Sequence, residues 1–131
     1  MKIFLLAAAL TLSAAPAGGA APAPPVAQCA TTDRIVAKRL RFARGRTTAV
    51  VRDRVRLCTG HEYRLRARAG QTMSVNLVAG RRTSMTLRSP SGDALADGGR
   101  SWSGRLPASG TYAIGIGTDE TASYTLEVTI R

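Results

Sequence analysis

The feature that most constrains this chain is an alternation of apolar and polar residues with a period of two. Turn signals interrupt it about every ten residues, the spacing of an all-β domain. Leu40 and Phe42 alternate with Arg39 and Arg41, and Met73, Val75 and Leu77 with Ser74 and Asn76. Met85 and Leu87 alternate with Thr86 and Arg88. Tyr112, Ile114 and Ile116 alternate with Ala113, Gly115 and Gly117, and Tyr124, Leu126, Val128 and Ile130 with Thr125, Glu127 and Thr129. Successive side chains of an extended strand point to opposite faces, so each stretch has one face to bury and one to show to water. Gly-containing pairs and the run Ser89-Pro90-Ser91-Gly92-Asp93 supply the turns between them. No window beyond residue 36 carries a sustained helical stripe. The pattern predicts an all-β fold, an antiparallel β-sandwich of about 7–9 short strands.

The first residues read as an address. Met1-Lys2 is followed by the predominantly apolar run Ile3–Leu12, then by the small and breaker-rich stretch Ser13–Ala20. The run is too short to span a bilayer, and a cut after Ala20 fits the small-x-small rule of export signals. Residues 1–20 are expected to be a cleavable signal peptide. Residues 21–28, APAPPVAQ, are expected to be a Pro/Ala-rich spacer, and residues 29–131 a single domain. The chain is thus expected in the periplasm or secreted. In that compartment Cys29 and Cys58, the two cysteines, can oxidise. A disulfide between them closes a loop of about 30 residues and contributes about 3 kcal/mol in the chain-entropy model.

Charge is unevenly distributed. The formal net charge is +11, from 19 Lys and Arg against 8 Asp and Glu. The excess lies between residues 34 and 68, where Arg34, Lys38, Arg39, Arg41, Arg44 and Arg46 precede Arg52, Arg54, Arg56, Arg64, Arg66 and Arg68, with Asp53 and Glu62 as the acids. Arg52, Arg54 and Arg56 share one strand face, and so do Arg64, Arg66 and Arg68. If the two strands form a hairpin, with Thr59–Glu62 turning the chain, six guanidinium groups crowd one face. Like charges directly opposite are destabilising, so that arrangement calls for anions. Arg suits bidentate contacts to carboxylate or phosphate. Two kinds of partner fit: an acidic protein cleft, or an anionic envelope polymer such as lipopolysaccharide or a wall polymer. A structural envelope protein whose charge serves no ligand is the third reading. Export removes nucleic acid as a target, and Tyr63 is expected to point inward with Leu65 rather than stack on bases.

Several classes of chemistry are excluded. One His and two Cys cannot supply the usual four-ligand zinc site, and no phosphate-binding Gly-rich loop is present. His61 and Glu62 adjoin, but sequence neighbours on a strand face opposite ways, and no nucleophile elbow follows. His61 is expected in a solvated turn. Asp119-Glu120 is an acidic pair with no further oxygen ligand nearby in sequence, too few for calcium. Trp102, between Ser101 and Ser103, is expected to plug the core or its rim. No enzyme activity, catalytic residue, metal or cofactor is expected.

Four segments carry a family resemblance: LRFARG at 40–45, YRLRARAGQTMSVNL at 63–77, SGRLPASGTY at 103–112 and YTLEV at 124–128. Together they resemble the bacterial periplasmic inhibitors of goose-type lysozyme and, more broadly, the pre-peptidase C-terminal group of small β-sandwiches. The resemblance covers about residues 38–130. It implies a non-enzymatic binding protein that blocks the acidic cleft of a glycosidase with loops at one end of the sandwich. Those loops map here to Thr59–Glu62, with His61 and Glu62, and to Gly117–Ala122, with Thr118, Asp119 and Glu120. In the recognised inhibitors the later loop is longer and carries Arg, whereas here it is short and acidic. Asp53 and Leu57 stand where glycines are usual.

Overall fold

The computed structural model describes residues 34–131, together with Gly18. The expected signal peptide and spacer, and Cys29, lie outside the described residues. Nine strands follow one another: β1 (Arg34–Arg39), β2 (Thr48–Val55), β3 (Thr59–Ala67), β4 (Thr72–Val78), β5 (Thr83–Arg88), β6 (Ala94–Asp97), β7 (Ser101–Arg105), β8 (Gly110–Thr118) and β9 (Ala122–Ile130). Among the described residues there is no helix. The strands form a five-stranded sheet in the order β1-β3-β8-β5-β6 and a four-stranded sheet in the order β2-β9-β4-β7. All pairings are antiparallel except β1 with β3, which run parallel.

The period-two pattern places the core as expected. Tyr63, Leu65, Met73, Val75, Leu77, Met85, Leu87, Tyr112, Ile114, Ile116, Tyr124, Leu126 and Val128 point between the sheets and are buried. Each fully buried aliphatic side chain contributes roughly 1.5–3 kcal/mol. Leu40 continues the inward set beyond the end of β1, and Phe42 packs half-buried against the core. Trp102 faces inward from the edge strand β7, opposite Val75, and closes that edge of the core. Its ring lies over Gly104, where an added Cβ would come within 2.8 Å of it.

The β2–β3 hairpin does not form. β2 pairs with β9 along its whole length, and β3 pairs with β1 and β8. The turn between them carries the chain from one sheet to the other. It is tighter than the glycine at position 60 suggests: Thr59 N–H donates to Arg56 O at 3.0 Å, and Cys58 takes φ +66°. Thr59–Glu62 are therefore strand residues, and the corner is Arg56–Cys58. The physical reason lies in the inward sets. Val55 on β2 and Tyr63 and Leu65 on β3 must face each other across the core, which a corner satisfies and a hairpin within one sheet does not.

Two ends of the sandwich are defined by the connections. At one, called upper here, lie the β2–β3, β4–β5, β6–β7 and β8–β9 turns. At the lower end lie the β1–β2 loop (residues 40–47), the β3–β4, β5–β6 and β7–β8 turns and Arg131. Ile130 N–H donates to Thr47 O at 2.9 Å, and Arg131 N–H to Thr72 O at 3.0 Å, tying the lower segments together.

Candidate functional site

Because β2 and β3 belong to different sheets, the six arginines form two sets, back to back across the core. Arg52 and Arg54 project from the outer face of the four-stranded sheet, with Arg56 in the corner beyond them. Arg64 and Arg66 project from the outer face of the five-stranded sheet, with Arg68 just past the end of β3. All six are exposed. The single six-arginine face is conditional on a β2–β3 hairpin; without that hairpin the arginines form two smaller faces.

His61 departs from expectation. It is not a solvated turn residue but points inward from β3, with 7% of its surface exposed. Its Nδ1 lies 2.6 Å from the Tyr124 hydroxyl on β9, which also meets the Tyr63 hydroxyl. The rings of His61 and Tyr124 cross edge-on with centroids 5.7 Å apart. On the open side, Asp53 Oδ2 is 3.9 Å from His61 Nδ1 and accepts from Lys38 Nζ of β1. Asp53 Oδ1 accepts from Arg54 N–H at 2.7 Å. These five side chains form a polar seam between the sheets: Lys38, His61 and Tyr63 come from one, Asp53 and Tyr124 from the other. Among the described residues no buried side-chain nitrogen or oxygen lacks a partner.

The seam shifts its own protonation states. The hydrogen bond from Lys38 holds the Asp53 carboxyl below its ordinary range, aided by the Arg54 N–H. Burial lowers the pKa of His61, and the Lys38 charge adds to this against the opposing pull of Asp53. Burial raises Tyr63 and Tyr124. At neutral pH the seam therefore holds one ion pair and neutral rings. Its hydrogen bonds cross from one sheet to the other, so the seam ties the two layers together.

The upper end brings together a different set. Thr118 Oγ1 accepts from Glu120 N–H at 3.1 Å and lies 3.1 Å from Thr83 Oγ1, folding the short Asp119–Thr121 turn onto its own strand. Thr121 Oγ1 accepts from Leu57 N–H at 3.0 Å, and Asp119 N–H donates to Arg82 O at 3.1 Å. The β2–β3, β4–β5 and β8–β9 turns are thereby joined into one surface, with Arg56, Arg81 and Arg82 around the exposed Asp119 and Glu120. Glu62 belongs elsewhere: it projects from the outer face of β3, where its Oε1 accepts from Arg64 Nε at 3.1 Å. Of the two expected end loops, Gly117–Ala122 is at this end as a turn, and Thr59–Glu62 is replaced there by Arg56–Cys58. Arg81 and Arg82 escaped sequence reasoning because they lie outside the basic segment, although the Gly80-Arg81-Arg82 turn was legible.

Among the described residues no group of three His, Cys, Asp or Glu side chains comes together. No helix among them is long and apolar enough to cross a membrane.

These features define a class: a small, predominantly antiparallel β-sandwich with an apolar core and charged turns and outer faces. Within that class the chain is similar to the periplasmic inhibitor of g-type lysozyme from Aeromonas hydrophila, at 28% identity and a TM-score of 0.69 over 75% of this chain and 98% of that one. The corresponding inhibitor from Salmonella Typhimurium shares the fold at 19% identity, with a TM-score of 0.60 over 72% of this chain and 97% of that one. The pre-peptidase C-terminal domain of a Bacillus anthracis collagenase shares it at 10% identity, with a TM-score of 0.51 over 74% and 94%. No protein-family model and no curated protein sequence matches the chain. The family resemblance carried by the four segments thus holds in three dimensions.

Proposed function

We propose that this protein is an exported, non-enzymatic inhibitor-like binding protein that engages an acidic-cleft glycosidase, a g-type lysozyme in the first instance, through the upper end of the sandwich. The observation that carries this reading is the likeness to the Aeromonas hydrophila inhibitor, which spans nearly the whole of that chain. Glycosidases of this kind cut with carboxyl groups in a cleft. Arg56, Arg81 and Arg82 on the joined turns are the groups able to pair with such carboxylates, and Arg suits that pairing by geometry. The basic strand face of the sequence reading contributes through Arg54 and Arg56, which border this end. His61 has no part in the contact, being interior.

Export and oxidation belong to the same reading. The signal in residues 1–20 delivers the chain to the periplasm, where the inhibitors it resembles reside. Among the described residues no cysteine is free. Pairing of Cys58 with Cys29 would clamp the segment preceding β1 to the Arg56–Cys58 corner.

The test is a titration of g-type lysozyme acting on cell-wall substrate. Inhibition saturating near one equivalent is expected, and Arg56→Ser with Arg82→Ser should weaken it. Full lysozyme activity at large excess of the protein would reject the inhibitor reading.

A further inference from the structure

We infer that the outer face of the five-stranded sheet and the adjoining lower end form a docking surface for a phosphate-bearing membrane surface, separate from the upper end proposed to meet a lysozyme. The starting point is a register. Arg39 of β1 and Arg64 of β3 stand directly opposite each other, the row continues through Ala113 to Arg88, and Arg66 projects one step below, opposite Thr111. Like charges directly opposite across a ladder are destabilising. Among the described residues of this row and its neighbour Arg66, only Arg64 has a carboxylate to offset this, from Glu62. Arg39 and Arg66 make no ion pair with another described residue, and both are exposed.

The arginines border a depression of about 760 Å³ that lies where β1 ends and the chain turns away to β2. Ala37, Leu40 and Phe42 give it apolar walls, and Arg39, Arg64 and Arg66 give it a cationic rim. The complement of such a hollow is an anionic group attached to an apolar or neutral body, as a phosphate is in a lipid headgroup. The surrounding end extends the same charge. Arg41, Arg44 and Arg46 are exposed on the β1–β2 loop, and Arg68 on the β3–β4 turn. Arg105 Nε donates to Gly70 O at 3.3 Å, which holds that guanidinium beside the same turn. Asp93 is the carboxylate side chain of this end among the described residues, and it is already engaged by the Ser91 hydroxyl. The upper end, by contrast, mixes Asp119 and Glu120 with its arginines. Cations gathered at one end suit a broad anionic surface better than a single acidic side chain, and a membrane's phosphates present such a surface. This inference does not rest on the inhibitor reading, because it uses the opposite end of the molecule.

The experiment measures binding of the purified protein to vesicles of phosphatidylcholine with and without phosphatidylglycerol, at low and physiological salt. Binding is expected only with phosphatidylglycerol and should weaken as salt rises. Each arginine removed from the surface should lower partitioning about fivefold. Arg39→Ser with Arg66→Ser should therefore cost about twenty-five-fold, while Arg52→Ser with Arg54→Ser, on the other sheet, should cost much less. Circular dichroism and melting identify any variant that fails to fold, and for such a variant the milder Arg39→Gln and Arg66→Gln pair is read instead. Equal losses from the two pairs would overturn the inference in favour of net charge alone, and so would absence of binding at low salt. Soluble tripolyphosphate binding as tightly as the vesicles would overturn the membrane as the source of the phosphate. Lysozyme inhibition measured on the same Arg39/Arg66 variant should be unchanged, so failure of one reading is distinguishable from failure of the other.

Discussion

The Nδ1 of His61 and the hydroxyl of Tyr124 lie 2.6 Å apart across the interior, joining the two sheets of the sandwich within the polar seam. Tyr124 also shares a hydrogen bond with the Tyr63 hydroxyl, and it stands opposite Asp53 in the β2–β9 ladder. One phenol thus holds the seam, and removing it should cost more than removing any other hydroxyl in it. Tyr124→Phe leaves both His61 and Tyr63 without their partner and is expected to destabilise by about 1–3 kcal/mol. Tyr63→Phe leaves the His61–Tyr124 contact in place and should cost about 0.5–1.5 kcal/mol. Urea unfolding of the two variants measures the order; equal midpoints would contradict it.

The seam makes stability depend on pH in two steps. His61 has a folded pKa below its usual 6.5, so the unfolded chain binds more protons as pH falls through that value. Stability is therefore present above about pH 6.5 and declines on acidification. Asp53 is likewise lowered from 3.8, which adds a second loss below that pH. A series of melting temperatures from pH 8 to pH 3 should show both declines. His61→Gln should flatten the first and Asp53→Asn the second.

Trp102 offers a direct optical test of edge packing. An alanine at Gly104 would place its Cβ 2.8 Å from the indole ring, closer than side chains approach. Gly104→Ala should turn the ring out toward water, shift its fluorescence to the red and destabilise by about 1–3 kcal/mol. Unchanged emission would mean that the ring already lies free of Gly104.

The Asp119–Thr121 turn bears on the inhibitor reading by its sign. Two carboxylates among Arg56, Arg81 and Arg82 oppose an acidic cleft. Asp119→Ser with Glu120→Ser should therefore tighten inhibition of a g-type lysozyme several-fold, mainly through a faster association rate that falls with salt. Weaker inhibition by this variant would place the carboxylates among the contacts themselves.

Thiol counting under denaturing conditions, on protein purified without reductant, should find no free thiol. Reduction should then lower stability by about 3 kcal/mol, or roughly 4–8 °C in melting temperature for each kcal/mol. Two free thiols would remove the clamp on the Arg56–Cys58 corner.

Much of the sandwich was legible in the sequence because burial imposes a period of two on any half-buried strand. The inward set Tyr124, Leu126 and Val128 on β9 and the inward direction of Tyr63 and Leu65 follow from that rule alone. His61 sits in the same phase as Tyr63, so the alternation implies its burial, but the neighbouring Thr59-Gly60 pair is itself a turn signal and competes with that phase. The corner in fact closes one step earlier, on a cysteine at positive φ, which no residue preference announces. Arg39 was visible as a charge, but its position opposite Arg64 was not, because it depends on a parallel pairing between strands that are not consecutive.

The sequence by itself determined the all-β class, the faces of the strands and the excess of positive charge, since all three depend on residue type and local periodicity. The tertiary structure decided which strands are neighbours. That choice put Arg52 and Arg64 on opposite sides of the molecule, enclosed His61 with Tyr124, and joined the Arg56, Arg82 and Glu120 turns at one end. Such contacts arise from packing two sheets around a shared core, and the free energy that selects among possible strand orders belongs to the whole core, not to any one segment.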